Sequence, residues 1–128
     1  MAKYAHSDVL DNGLNEIKTY ADEMWLVKGY AAGDSYATAA AKKVCSVAMV
    51  SGDYTLSGAD AAARVLAVAT KSNTASASST GGDNLHVLLV RTAATKILWA
   101  TDETTDQVVT SGNTVTFPTF NCTSGQPV

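Results

Sequence analysis

The hydrophobic pattern between Leu85 and Phe120 predicts a β-hairpin followed by one more strand, around which the rest of the chain is organised. Residues 85–90 are apolar at both parities apart from His86, which is typical of a strand covered on both faces. Residues 91–95 interrupt the apolar run and residues 96–100 resume it. The two segments are therefore predicted to form a β-hairpin, although its tip lacks an Asn-Gly or Asp-Gly pair.

A further strand is predicted after this hairpin. Gln107–Thr110 is extended in character, and the Ser111-Gly112-Asn113 turn leads into Thr114–Phe120. Pro118 cannot donate a hydrogen bond to a strand ladder. The last strand is therefore expected to lie at a sheet edge, or to end near the proline.

The residues before the hairpin must supply the surfaces that cover it. Apolar residues recur at three- and four-residue steps from Leu10 to Ala21, which predicts a helix capped by Ser7 or Asp8. A second, alanine-rich helix is predicted over residues 36–43. Short strands are predicted over residues 23–28, 44–50, 54–56 and 64–70, and residues 74–80 are either an exposed edge strand or a loop.

Turn residues punctuate these strands every 8–12 positions, which indicates a mostly β fold. We predict a β-sandwich or a small barrel, decorated by one or two short N-terminal helices. The chain divides into an N-terminal arm (residues 1–6), a single sandwich domain (residues 7–122) and a C-terminal tail (residues 123–128).

Composition favours association over nucleic-acid binding. The 128 residues are 46% hydrophobic and only 16% charged, which is low in charge for a soluble monomer. We therefore expect a chain that buries surface against other subunits, although a plain alanine-rich globular domain has the same composition. The net charge is -3 and no basic cluster is present, which disfavours phosphate contacts.

Membrane insertion and secretion are also disfavoured. No apolar run reaches the roughly 18 residues of a membrane span. Asp8 and Asp11 occupy the region where a secretion signal needs an apolar core. Cys45 and Cys122 are too far apart in sequence for a metal motif, and we expect free thiols in a reducing cytoplasm.

No motif predicts a reaction, a metal or a cofactor. His86 lies inside a strand pattern and is expected to be structural, because neither His-x-His nor Cys-x-x-Cys occurs. Gly-x-Ser-x-Gly is absent, and Gly81-Gly82 is too short for a phosphate loop. Trp25 and Trp99 are expected to pack in the core. A structural or binding role, not an enzymatic one, is the resulting prediction.

The order of turn and strand motifs resembles the head-decoration, or cement, proteins of tailed bacteriophages. The resemblance covers about residues 22–120. It is carried by Ser51-Gly-Asp-Tyr-Thr-Leu56, Arg64-Val-Leu-Ala-Val68, Asn84-Leu-His-Val-Leu-Leu-Val90, Lys96-Ile-Leu-Trp-Ala-Thr101 and Ser111-Gly-Asn-Thr-Val-Thr-Phe-Pro118. Its defining positions are Gly52, Asp53, Arg64, His86, Gly112, Asn113 and Pro118. Two places depart from the pattern: Ala63 replaces the usual glycine, and Asn84-Leu85 replaces the usual Ala-Thr.

This resemblance implies a jelly-roll-like β-sandwich, made in the host cytoplasm, that binds the outer surface of an icosahedral phage head as a homo-oligomer, a dimer or a trimer. Its partner would be the major capsid protein, whose neighbouring subunits it would clamp. We expect the N-terminal arm to contact the shell through Lys3, Tyr4 and His6. A frayed terminus without a partner is an equally good interpretation of that arm.

Two other functions remain open at this stage. The chain could be another virion component, such as a tail or head-fibre base, or a host-surface adhesion module that uses Tyr30 and Tyr36 as exposed aromatic contacts. A small β-barrel enzyme or ligand-binding protein is the third possibility.

Overall fold

The computed structural model describes residues 6–59, 62–103 and 106–125. Within these ranges the chain forms nine strands, two α-helices and two short 3-10 turns. The helices are α1 (Ser7–Tyr20) and α2 (Tyr36–Ala41). The strands are β1 (Glu23–Lys28), β2 (Lys43–Ala48), β3 (Tyr54–Ser57), β4 (Arg64–Val68), β5 (Lys71–Thr74), β6 (Leu85–Arg91), β7 (Lys96–Asp102), β8 (Thr114–Phe117) and β9 (Phe120–Ser124).

An antiparallel four-stranded sheet, in the order β2-β1-β6-β7, forms the centre of the molecule. Its side chains alternate between two buried clusters. On one face, Met24 and Leu26 belong to the main core, and on the other face Trp25 and Val27 belong to a smaller cluster. The predicted two-sided burial of residues 85–90 is confirmed, because β6 contributes to both clusters.

Different elements cover the two faces. The main core lies between this sheet, α1 and the three-stranded sheet β3-β4-β9. Inside it the Tyr54 hydroxyl donates to the Ala21 carbonyl oxygen at 3.0 Å. The smaller cluster packs under α2, where the Tyr36 ring lies 4.9 Å from the Trp25 ring. The result is a sandwich-like, mostly β fold with its main helix at the N-terminus, as predicted.

The local signals explain where the helices begin and end. The α1 helix buries Leu10, Leu14 and Ile17, in agreement with their spacing. Its cap differs from the prediction, because the His6 ring nitrogen Nδ1 accepts from the Asp8 backbone at 3.1 Å. Ser35 caps α2 by accepting from the Thr38 backbone at 3.1 Å.

Several predicted elements have different boundaries. Residues 107–110 precede the last predicted strand and form no strand themselves, because their backbone bonds the Ser79 loop, with Val109 donating to Ser79 Oγ at 2.9 Å. Strand β9 runs through Ser124, past the predicted domain end at residue 122, because Thr123 and Ser124 pair with β4. Cys122 is therefore fully buried in a strand and does not lie near a loose terminus.

The proline prediction is confirmed. Strand β8 ends at Phe117, and Pro118 separates it from β9. The two strands enter different sheets, since β8 pairs with β5 and β9 pairs with β4. The proline thus lies where the chain leaves one ladder and enters another.

Candidate functional site

The part of the chain that the structure describes holds no group of three or more His, Cys, Asp or Glu side chains that could bind a metal ion. In the same residues every buried side-chain nitrogen and oxygen atom has a hydrogen-bond partner. None of the described helices has the length and hydrophobicity needed to cross a bilayer.

His86 lies among structural contacts. Its Nδ1 is 3.3 Å from the Asn84 carbonyl oxygen, and its Nε2 is 3.9 Å from an Asp102 carboxylate oxygen. The Tyr30 ring lies 5.8 Å away. Tyr30 and Tyr36 both pack against the smaller cluster and are only half-exposed, so neither is a freely projecting aromatic contact.

The motif residues Gly52 and Asp53 form a turn. The Asp53 carboxylate accepts from the Val50 backbone at 2.9 Å and from the Lys71 ammonium at 3.2 Å. The Val50 hydrogen bond, together with Lys71, lowers the pKa of Asp53 below its ordinary value. This carboxylate therefore ties the turn before β3 to the first residue of β5.

Arg64 joins α1 to the three-stranded sheet. Its Nε donates to the Asp11 carboxylate at 2.7 Å, and its guanidinium also donates to the Gly58 carbonyl oxygen. Gly58 has a positive φ of 120°, and a Cβ there would lie 2.6 Å from the Ala63 carbonyl oxygen. Only glycine fits this close approach.

The turn that contains Gly112 and Asn113 holds the segment after β5. Gly112 donates to the Ala75 carbonyl oxygen at 2.9 Å, and the Ala75 backbone donates to Asn113 at 2.8 Å. The motif residues thus form turns, hydrogen bonds and ion pairs at separate places in the fold. They do not converge on one site.

One edge of the central sheet, formed by β2, is covered. The backbones of Ser76 and Ala77 donate to the Val44 carbonyl oxygen at 2.8 and 3.2 Å. Asn73 Nδ2 donates to the Ser46 carbonyl oxygen at 2.6 Å. Residues 73–77 therefore occupy the hydrogen-bonding edge of β2.

The opposite edge, formed by β7, pairs only with β6 among the described residues. The five inner residues of β7 are all half-buried, whereas Lys96 and Asp102 at its ends are exposed. Ile97 and Ala100 contact the smaller cluster, while Leu98 and Trp99 contact the main core. A seven-residue strand with apolar side chains on both faces is thus left at an open edge.

Strands β7 and β9 pass each other without pairing, and two grooves lie between them. The first, of about 270 Å³, is mainly apolar and runs beside α1. We call it the α1–β7 groove. Its lining residues are Gly13, Leu14, Glu16, Ile17, Leu98, Trp99, Thr123 and Ser124.

The second groove, of about 290 Å³, lies at the other end of β7. It is bounded by Asp102 and Glu103 on one side and by Pro118 and Phe120 on the other. Glu103 is buried, and its carboxylate accepts from the Gln107 backbone at 3.4 Å. This second groove is therefore more acidic than the α1–β7 groove.

Of the three predicted shell-contact residues, the structure describes only His6. Lys3 and Tyr4 lie outside the described residues. His6 is exposed and caps α1, so its ring already has a structural task. Sequence reasoning missed the open edge and its grooves. The available signal was β7 itself, which is apolar at both parities although it closes a hairpin.

Comparison of the chain with protein-family models, curated protein sequences and solved structures found no match.

Proposed function

We propose that this protein is a structural component of a phage virion that decorates the outside of the head. It binds the major capsid protein, clamps neighbouring subunits of the shell and acts as a homo-oligomer. The proposal rests on the motif resemblance together with one structural observation: among the described residues, the central sheet is covered at β2 and open at β7, beside which an apolar groove lies.

The physical requirements of a clamp suit this surface. A protein that bridges two capsid subunits needs an interface with them. A stable complex commonly buries roughly 1,200–2,000 Å² of surface in total. Because the same contact repeats over a closed shell, modest individual affinities give a large collective stabilisation. The α1–β7 groove would receive apolar side chains of a capsid subunit, and residues Lys3, Tyr4 and His6 would add contacts from the start of the chain.

The direct test is sedimentation of the purified protein with phage heads that lack it. We expect binding to saturate at a fixed ratio to the shell protein, and the decorated heads to resist heating better than bare heads. Absence of binding to heads, together with retention on host glycans, would instead support the adhesion-module alternative. Binding to tails or fibres alone would support the other virion alternative.

Two variants would locate the contact. Gly13→Leu adds an apolar side chain to the lining of the α1–β7 groove, at a position where a Cβ meets no atom within 4 Å. Asn15→Leu adds the same side chain at an exposed position on the same helix, outside the groove lining, and serves as the control. We expect only the Gly13 variant to lose head binding. Equal binding by both variants would remove the groove from the proposal.

The N-terminal contribution needs a deletion that keeps the helix cap. Removing residues 2–5 retains His6, whereas a deletion through His6 would also cost the cap, worth about 1 kcal/mol. We expect weaker head binding with an unchanged melting temperature. Unchanged binding would exclude the arm as a shell contact.

A further inference from the structure

We draw no further inference here: the strongest candidate, the open edge of β7 together with the mainly apolar α1–β7 groove beside it, carries none, because nothing in the structure shows what covers it.

Discussion

The two edges of the central sheet are built from similar strands, yet one edge is covered by another segment and the other is open. Strands β2 and β7 are six and seven residues long, and each pairs with one neighbour in the sheet. Residues 73–77 bond the outer edge of β2, while no described residue does the same for β7. When a loop covers an edge strand, its outer backbone groups are not free to pair with another chain. When the edge is left open, those groups favour association.

The difference does not arise from the strands' own composition. Both strands carry a lysine at their first residue and apolar side chains inside. What separates them is the chain that follows β5, whose turn contacts with Gly112 and Asn113 hold it against β2. The covered edge is thus made by tertiary contacts, and the open edge by their absence among the described residues.

The two tryptophans give the largest expected contrast. Trp25 lies on an interior strand with 2% of its surface exposed, whereas Trp99 lies half-exposed on β7. Trp25→Ala should lower the free energy of unfolding by about 3–5 kcal/mol, and Trp99→Ala by distinctly less. Urea unfolding of the two variants measures both changes. Equal losses would mean that the β7 edge is as well covered as the interior.

Uncovering the β2 edge should produce the next largest effect. Ala75 is 4% exposed within the covering segment, so Ala75→Asp would bury an unpaired charge and destabilise the protein by about 3 kcal/mol. Ser76→Asp adds the same charge one residue later, at an exposed position, where it removes only the 3.4 Å hydrogen bond from Ser76 Oγ to the Val44 carbonyl oxygen, and should cost no more than about 1 kcal/mol. The Ala75 variant should also aggregate, since both sheet edges would then be open.

The ion pair between Asp53 and Lys71, on the β2 side of the molecule, should make the free energy of unfolding sensitive to acid. Because the folded-state pKa of Asp53 is lowered, its contribution is present above the unfolded value of about 3.9 and is lost as the pH falls below it. Asp53→Asn should cost about 1–2 kcal/mol at pH 7 and flatten the stability curve below pH 4. Urea unfolding at pH 7 and pH 3 tests this. An Asn variant that loses as much stability on acidification as the original protein would contradict it.

The smallest expected effect is a gain in stability, from a substitution in α1 beside the open β7 edge. Gly13 is exposed within α1, and an added methyl group meets no atom within 4 Å. Gly13→Ala should therefore raise the free energy of unfolding by about 0.5–1 kcal/mol through helix propensity. A loss of stability would show that the α1–β7 groove is narrower at this point than its geometry indicates. Thermal melting monitored by circular dichroism measures the change.

The amino-acid sequence alone determined the class of fold and most of its elements. Apolar residues at both parities predicted a doubly covered β6, and the spacing of Leu10, Leu14 and Ile17 predicted the buried face of α1. Pro118 predicted the end of a strand. These features follow from local rules, because the side-chain period and the missing proline donor act within a few residues.

Only the tertiary structure decided which edge stays open. Residues 73–77 and 107–110 have little periodicity, and they bond Val44 and Ser79 respectively, which are distant from them in the chain. The sequence of a strand does not indicate whether a distant segment will bond the backbone groups on its outer edge. The sequence therefore contained the apolar β7, but its position at an open edge depended on contacts that no local pattern records.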